Sequence, residues 1–312
     1  MTPEISVIIP CLNEVNTIGS VVSSASAELS KAGFAYEIIV VDNGSSDGSD
    51  HLAKKHGANV IHSKARTIAG VRNAGVEMAR GQVLVFLDAD IVVQKVWGDV
   101  LRSEYTRMMN NGNFITGSHY SVPLNIRPML HCWFSSISEN TRGTHLATGH
   151  MIMSRDTFDR VGRFDESLET NEDFYFCQEA KKKGIKIVIN PEMKVLHLGF
   201  PNSLIDFAKR EIWHGLGDCN SLKGLFRSKV ACLGILFLIL HVLMLFSLFL
   251  YFPLFVITIS GIVFIVAIYN FFMFDYVNIR NFIYRIIVSY IYLISRGLSL
   301  AAYLFTRKKC YY

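Results

Sequence analysis

Short apolar runs alternate with helical periodicity along the first ninety residues of the chain. Runs of five apolar or β-branched residues predict buried strands, and apolar residues that recur every three or four positions predict helices. The predicted elements are, in order, strand 5–9, helix 18–29, strand 37–41, helix 50–56, strand 59–61, helix 68–80 and strand 83–87. Strands that alternate with helices indicate an α/β fold, with a mainly parallel, Rossmann-like sheet and helices on both faces.

A different pattern begins at residue 230. Residues 230–274, a stretch of 45, contain no Asp, Glu, Lys or Arg. A membrane-spanning helix needs about 20 apolar residues, so this stretch is long enough for two helices. Tyr251-Phe252-Pro253 is the natural place to turn, which predicts a transmembrane hairpin. A buried hairpin in a soluble protein is the alternative.

A third apolar stretch covers residues 286–305. It is long enough to span a membrane, but Arg296 lies at its centre and Arg307-Lys308-Lys309 follow it. A crossing helix would place that basic tail outside, against the positive-inside rule. We therefore favour an interfacial or re-entrant helix over a spanning one.

The formal net charge of +5 is concentrated in the C-terminal part of the chain. Residues 1–229 carry 25 basic and 25 acidic side chains, whereas residues 230–312 carry six and one. This distribution suits anionic lipid headgroups and argues against nucleic acid as a partner. Basic residues flank the hairpin on both sides, which places both of its ends and the N-terminal domain in the cytoplasm.

The chain shows no signal-peptide pattern at its start, and its six cysteines are scattered without a CxxC pair. We expect reduced thiols and an integral membrane protein of a bacterial inner membrane. The predicted organisation is a folded domain (1–200), an amphipathic interfacial segment (201–229), the transmembrane hairpin (230–274) and a basic loop with the third apolar helix (275–312).

Polar residues follow three of the predicted strands. Asn13-Glu14 follow strand 5–9, Asp42 closes strand 37–41, and Asp88-Ala89-Asp90 follow strand 83–87. Ligands of open α/β sheets bind beyond the carboxyl ends of the strands. An Asp-x-Asp pair at such an end suits Mg²⁺ or Mn²⁺, which prefer oxygen ligands. Solvated acids in a turn are the alternative.

Five motifs in order resemble the family 2 glycosyltransferases, which have the GT-A fold and use nucleotide-sugar donors. The motifs are SVIIPCLNE (6–14), VDNGSSDGS (41–49), RNAGV (72–76), LDAD (87–90) and GRFDE (162–166), followed by Glu172-Asp173. The resemblance covers roughly residues 4–200. From His197 through 210–215 the chain is similar to the membrane-associated branch that builds bacterial surface polysaccharides or glycolipids.

The chain departs from that branch at one motif, which is typical of the processive synthases. Processive polysaccharide synthases carry Gln-x-x-Arg-Trp near this position, whereas this chain has Arg210-Glu211-Ile212-Trp213. The missing Gln and the different spacing argue against a processive enzyme, and two spans are too few for an export channel.

The resemblance implies a nucleotide-sugar site at the strand ends. Asp42 would accept a hydrogen bond from the base, typically uracil, while Lys64 and Arg72 would meet the diphosphate. The implied nucleotide-sugar-binding residues are Pro10, Asn13, Glu14, Asp42, Lys64, Arg72 and Asp88. A helix-start acid is the alternative for Glu14, and a surface charge is the alternative for Lys64.

The resemblance also implies the metal ligands and the catalytic residues. Asp90 would ligate Mg²⁺ or Mn²⁺, with Asp88 and His197 as further candidates, although His197 could equally be a core histidine. Asp173 is the implied catalytic base of an inverting transfer, and the adjacent Glu172 could share or exchange that role. A solvated helix start is the alternative for this pair.

The implied function is transfer of a single sugar, from a UDP-sugar by family habit, to a lipid-linked or glycolipid acceptor at the cytoplasmic membrane face. A polyprenyl-phosphate sugar synthase is the enzymatic alternative. A membrane scaffold that binds a nucleotide sugar without turnover is the alternative from another class. The sequence leaves the sugar, the acceptor and the oligomeric state open.

Overall fold

A computed structural model describes residues 2–139, 146–219, 222–274 and 279–307. The chain forms two compact units: Met1–Pro123 with Thr141–Gly199, and Leu124–Asn140 with Phe200–Tyr312. The predicted boundary at 200/201 lies one residue from the second of these divisions, while the assignment of Leu124–Asn140 to the second unit had no signal in the sequence. Of the predicted basic loop and tail, residues 275–278 and 308–312 lie outside the described residues.

The first unit contains all ten described strands and six of the helices. In chain order they are β1 (Ile5–Cys11), α1 (Ile18–Lys31), β2 (Tyr36–Asp42), α2 (Ser49–Lys55), β3 (Asn59–His62), α3 (Ile68–Met78), β4 (Val83–Leu87), β5 (Ile91–Val93), α4 (Trp97–Asn111), β6 (Phe114–Gly117) and β7 (Tyr120–Ser121). After α5 (Pro128–Glu139), which belongs to the second unit, follow β8 (His150–Ser154), α6 (Arg155–Val161), α7 (Glu172–Lys182), β9 (Lys186–Ile189) and β10 (Val195–His197).

A seven-stranded mixed sheet with the order β3-β2-β1-β4-β8-β6-β9 forms the core of this unit. Strands β3, β2, β1 and β4 are parallel, and β8 runs antiparallel between β4 and β6. Successive residues of a strand point to opposite faces, so Val7 packs into one apolar cluster and Ile8 into the other. Helices α1 and α4 cover the first face and α3, α6 and α7 the second, which confirms the predicted α/β class.

The first strand is longer than the sequence predicts. It continues through Pro10 to Cys11 and pairs with β2 over its whole length. On its other side β4 pairs only as far as Ile8. Pro10 therefore lies where β1 has a single neighbour, and its missing N–H interrupts no hydrogen bond to β4.

A small three-stranded sheet with the order β5-β10-β7 adjoins the predicted Asp-x-Asp segment. Strand β10 is antiparallel to β5, with Ile91 opposite His197. This register places the residue before Ile91 beside the end of β10. The sequence predicted none of the strands β5, β6 and β7, because each has only two to four residues in a region of weak pattern.

The second unit is helical. It contains α5, α8 (Leu204–Leu216), α9 (Leu222–Arg227), α10 (Lys229–Leu250), α11 (Phe252–Met273) and α12 (Ile279–Arg307), with a short 3₁₀ turn at Gly217–Cys219. Three segments are long and apolar enough to cross a membrane: Lys229–Leu250, Phe252–Met273 and Ile279–Phe305. Tyr251 separates the first two, at the predicted turn. The interfacial or re-entrant placement of the third helix stays a prediction.

Glycines and one ion pair hold α12 against its neighbours in this unit. A Cβ on Gly234 of α10 would lie 2.6 Å from the backbone nitrogen of Gly297, so the missing side chains let the two helices approach closely. Arg296 forms an ion pair with Asp218 of the 3₁₀ turn, and both side chains are largely buried. The charge in the middle of the third apolar stretch is therefore neutralised within the protein.

Candidate active site

The loops that follow β1 and β2 are fastened to each other by hydrogen bonds. The backbone N–H of Asn13 donates to Ser45 Oγ (2.9 Å), and the side-chain carbonyl of Asn13 accepts from the Ser46 N–H (2.9 Å). The next N–H, of Glu14, donates to Ser49 Oγ (2.8 Å). Asn13 adopts a left-handed φ of 57°, which Asn tolerates better than most residues. Two of the predicted nucleotide-binding residues, Asn13 and Glu14, thus lie in this pair of hydrogen-bonded loops, which is called the rim below.

Glu14 has an electrostatic environment that disfavours its charge. Burial raises the pKa of this carboxyl, and the negative charges of Asp47 and Asp88 raise it further, although the Thr17 hydroxyl donates to it at 2.9 Å. Lys64, by contrast, lies exposed in the loop between β3 and α3.

Asp42 lies at the end of β2, opposite Cys11 and one position beyond the pair formed by Pro10 and Val41. Only 2% of the Asp42 side chain is exposed, and its Oδ2 accepts from the N–H groups of Gly44 (3.1 Å) and Ser45 (3.2 Å). Burial alone raises the pKa of Asp42, but these hydrogen bonds outweigh burial and lower it overall. The side chain is an ionised acceptor that also shapes the turn after β2.

A buried arginine joins two of the predicted site carboxylates. Arg72 of α3 is 2% exposed, and its two terminal nitrogens contact Asp88 Oδ1 and Glu172 Oε1, each at 2.6 Å. Burial lowers the pKa of Arg72, but the two carboxylates outweigh it and raise that pKa overall. Thr148 donates a further hydrogen bond to Glu172 Oε1 (3.1 Å). Arg72 holds Asp88 and Glu172 in place, and its contact with a diphosphate stays a prediction.

Glu172 and Asp173 begin α7 and have different surroundings. Neighbouring helical residues point about 100° apart, so only one of the two can face a given ligand. Glu172 is buried against Arg72, whereas Asp173 is partly exposed and accepts the N–H of Phe174 (2.6 Å). Asp173 still lies close to the network, because its charge contributes to the raised pKa of Arg72. Of the pair, Asp173 is the more exposed carboxylate.

Tyr120 of β7 is a site residue that the sequence did not indicate. Burial raises its pKa well above the ordinary value, and the charges of Asp88, Asp173 and Asp90 raise it further. A Cβ on Gly149 would lie 2.5 Å from both the Tyr120 hydroxyl and Asp88 Oδ2, so this glycine leaves space for their approach. The phenol is therefore neutral and able to donate. A two-residue strand in a weakly patterned region gave no signal for it.

Asp90 and His197 are brought together by the pairing of β5 with β10. His197 Nε2 lies 3.6 Å from Asp90 Oδ2, and both side chains are largely buried. Gly199 borders the same pair, and a Cβ there would overlap Asp90 Oδ2. Asp88, the third predicted ligand, directs one oxygen to Arg72. Within the described part of the chain, no three His, Cys, Asp or Glu side chains are arranged to hold a metal ion.

A two-residue arrangement of this kind fits an ion that a substrate helps to coordinate. Mg²⁺ bound with phosphates is usually held by one or two carboxylates, the remaining ligands being phosphate oxygens and water. Asp90 supplies a carboxylate, His197 an imidazole, and Gly199 keeps the space beside them open. The residues present therefore fit a divalent cation shared with a diphosphate.

Gly199→Ala is expected to weaken Mn²⁺ binding in the presence of a nucleoside diphosphate by roughly tenfold or more, since the added methyl would displace the Asp90 carboxylate. Titration calorimetry on the full chain in detergent measures this. Gly261→Ala is the control, because its Cβ would meet nothing nearer than Leu240 at 3.7 Å. Equal cation affinity of the two variants would contradict a site at Asp90.

Two family models match the chain. The model described as glycosyl transferase family 2 matches residues 6–161, and the model described as glycosyl transferase family group 2 matches residues 99–301. The first range contains the Arg72, Asp88 and Asp90 segments of the site, and the second contains Glu172, Asp173 and His197.

Curated relatives match shorter segments. Glycosyltransferase AglE of Haloferax volcanii is 32% identical over 101 residues, which is 30% of this chain and 33% of that protein. The undecaprenyl-phosphate 4-deoxy-4-formamido-L-arabinose transferase of Pseudomonas fluorescens is 34% identical over 94 residues, 28% of each chain. The matched segments thus span about a third of the length of these relatives.

A solved structure matches nearly the whole chain. The mannosyltransferase PcManGT from Pyrobaculum calidifontis, in complex with GDP-Man and Mn²⁺, aligns with a TM-score of 0.57 over 96% of this chain and 88% of that one. The sequence identity is 16%, so the likeness concerns the fold.

Proposed function

This chain belongs to glycosyl transferase family 2, and from that premise we propose that it transfers a single sugar, with inversion, from a nucleotide-sugar donor to a lipid-linked acceptor at the cytoplasmic face of a membrane. The family and the GT-A fold make it a glycosyltransferase. The observation that carries the finer proposal is geometric: Arg72 contacts Asp88 and Glu172 at 2.6 Å each, and Asp90, two residues after Asp88, lies 3.6 Å from His197.

The proposed donor site lies along the rim formed by the loops after β1 and β2. The pKa of Asp42 is lowered, so its side chain is an ionised carboxylate that can accept a hydrogen bond from a base N–H. A UDP-sugar is the expected donor. Asn13, Glu14 and Pro10 border the nucleoside in this arrangement, and exposed Lys64 approaches the diphosphate. The mutual hydrogen bonds of the two loops would hold this rim ready before the donor arrives.

Asp90 and His197 are the proposed residues for Mg²⁺ or Mn²⁺. The ion, when bound, would neutralise the charge that develops on the departing nucleoside diphosphate. Asp88 stays bound to Arg72 in this proposal and borders the ribose with its other oxygen, while the Tyr120 hydroxyl donates to an anionic group of the donor.

Asp173 is the proposed general base. Inverting transfer requires one carboxylate to remove the proton of the acceptor hydroxyl as its oxygen attacks the anomeric carbon from the face opposite the leaving diphosphate. Asp173 is partly exposed, whereas Glu172 is engaged by Arg72 and Thr148. Glu172 is therefore a positioning residue, which orients Arg72 and through it Asp88.

A lipid-linked acceptor is supported by the C-terminal helices. Three of them are long and apolar enough to cross a membrane, and basic residues flank the first two. An enzyme whose acceptor is held in a bilayer benefits from being attached to the same bilayer, because attachment raises the effective concentration of the acceptor.

One comparison favours a second candidate function. The Pseudomonas fluorescens relative is named for an undecaprenyl-phosphate acceptor, so a polyprenyl-phosphate sugar synthase is the close alternative. Its acceptor would be the lipid phosphate, which is already ionised and needs no base. The scaffold alternative has no such support, since a domain that only binds has no use for both Asp90 and Asp173.

Release of a nucleoside diphosphate by the solubilised full chain tests the proposal. With Mn²⁺ and UDP-, GDP- or dTDP-sugars in turn, we expect slow hydrolysis of one donor, reduced about a hundredfold or more in Asp90→Ala because the ion loses its carboxylate. Asp156→Ala removes an exposed carboxylate of α6 and serves as the control. Binding of a donor without any release would favour the scaffold, and neither release nor binding of any donor would contradict the proposal.

A further inference from the structure

The second unit contains a cavity of about 470 Å³ between α5 and the beginning of α12. Its lining residues before α5 and at the first position of that helix, called its apolar side below, are Leu124, Ile126 and Pro128. The polar residues of its lining, called its polar side below, belong to α5 and to the first two turns of α12. All of these residues belong to a single compact unit, so the cavity is a feature of that unit alone.

The polar side of the cavity is cationic. Arg280 is exposed and Arg285 is 7% exposed, and both line the cavity. Arg285 donates a hydrogen bond to Ser136 Oγ (2.6 Å) and lies over the ring of Phe274 at 4.9 Å. Among the described residues that line the cavity, none is an Asp or a Glu. Two guanidinium groups in such a setting attract an anion.

The remaining polar groups suit an anion with several oxygens. Ser135 carries a hydroxyl group that contacts His131 Nδ1 at 3.2 Å, whereas Ser136 donates to the Cys132 carbonyl (2.6 Å) and accepts from Arg285, which orients that guanidinium group. The guanidinium group presents its N–H donors in a planar fork that matches the oxygens of a phosphate. Cys132 Sγ lies 3.7 Å from the carbonyl oxygen of Asn281 and links α5 to α12. This contact fixes the distance between the polar residues of α5 and those of α12.

The position of the cavity in the sequence points to a lipid. Arg280 and Arg285 lie at the beginning of Ile279–Phe305, a segment long and apolar enough to cross a membrane. Basic residues at the end of such a helix lie at the level of the lipid phosphates, and basic pockets between membrane helices bind anionic headgroups. The apolar side, with Leu124 and Ile126, offers a surface for a hydrocarbon chain.

We propose that this cavity binds the phosphate group of a lipid, with Arg280 and Arg285 on the phosphate oxygens. An anionic phospholipid of the bilayer and a prenyl phosphate share this chemistry. The prenyl-phosphate source rests on the proposed function, because it would make the cavity a place where the acceptor is held. The phospholipid source is independent of that function.

Lipid binding by the full chain in detergent tests the proposal without any donor. Native mass spectrometry gives the affinities for dioleoyl phosphatidylglycerol and geranylgeranyl phosphate, and for dioleoylglycerol and geranylgeraniol, which lack the phosphate. Arg280→Gln and Arg285→Gln are each expected to lower the affinity for the phosphate lipids by roughly tenfold and to leave that for the uncharged lipids unchanged. Arg227→Gln is the control, since it removes an exposed charge beside the first apolar helix and outside the cavity.

The outcomes distinguish a phospholipid from a prenyl phosphate as the bound lipid, and they test lipid binding separately from sugar transfer. A loss confined to phosphatidylglycerol assigns the cavity to bilayer phospholipid, and a loss confined to geranylgeranyl phosphate assigns it to the acceptor. Unchanged affinities in Arg280→Gln overturn the proposal, even if Arg285→Gln fails to fold. Displacement of both lipids by equimolar inorganic phosphate also overturns it, because the hydrocarbon chain would then contribute nothing. Since no donor is present, a negative result leaves the proposed sugar transfer standing.

Discussion

Asp173→Asn is expected to lower kcat by roughly 10²- to 10⁴-fold, the range that a positioned general base contributes. The amide has nearly the same shape, so the KM for the donor should change little. Asp173 lies at the start of α7 and is partly exposed, and the amide of Asn can still accept the Phe174 N–H, so its replacement should leave the fold intact. Steady-state transfer to a lipid-linked acceptor with a free hydroxyl, at saturating donor, measures the effect.

Glu179→Gln provides the matched control for this substitution. Glu179 lies on the same helix in an exposed pair with Lys182, so we expect its replacement to leave kcat within twofold of the unmodified chain. If Asp173→Asn kept most of its activity towards a prenyl phosphate, the acceptor would be an ionised phosphate and the polyprenyl-phosphate synthase would replace the hydroxyl-directed enzyme. Loss of activity in both variants would point to disturbance of α7 instead.

Arg72→Met is expected to destabilise the first unit by about 3–5 kcal/mol, the usual cost of removing one partner from a buried ion pair. The substitution would leave the carboxylates of Asp88 and Glu172 close together without their shared cation. Arg72→Lys should recover part of the loss, because an ammonium group keeps the charge but does not reproduce the planar fork. Unfolding of the full chain in detergent, followed by circular dichroism, ranks the stabilities of the unmodified chain, Arg72→Lys and Arg72→Met.

Arg163→Met is the corresponding control on the surface. Arg163 pairs with Glu77 at 2.9 Å, with about half of each side chain exposed, so its removal should cost less than about 1 kcal/mol. A variant Arg72→Met as stable as Arg163→Met would mean that water or a rearranged side chain replaces the arginine. The bridging role assigned to Arg72 would then be wrong.

The sequence predicted the parallel half of the sheet because its strands are buried on both faces. In β1 and β4 every residue is buried, so the apolar runs are continuous and their ends are marked by polar residues. It did not predict the small sheet, in which β7 has two residues and β10 has three. Pairs of such short strands are specified by long-range contacts, which a local sequence pattern does not reveal.

The sequence likewise predicted some features of the candidate site and not others. The positions of Asp42, Asp88 and Asp90 at strand ends could be inferred, because the carboxyl ends of parallel strands share one edge. The partner of Arg72 could not, since Glu172 lies 100 residues further along the chain. The same holds for Tyr120, because the charged residues around it come from three separate segments of the chain.

The ion pair between Arg296 and Asp218 has a consequence for how the protein is made. Asp218 precedes Arg296 by 78 residues, so the ribosome has completed the acidic partner before the arginine is synthesised. An unpaired arginine at the centre of an apolar helix opposes membrane insertion by roughly 2.5–3.5 kcal/mol. Because Asp218 is already present when Arg296 is synthesised, the arginine can be neutralised as soon as its helix forms, and the order of translation favours formation of this ion pair.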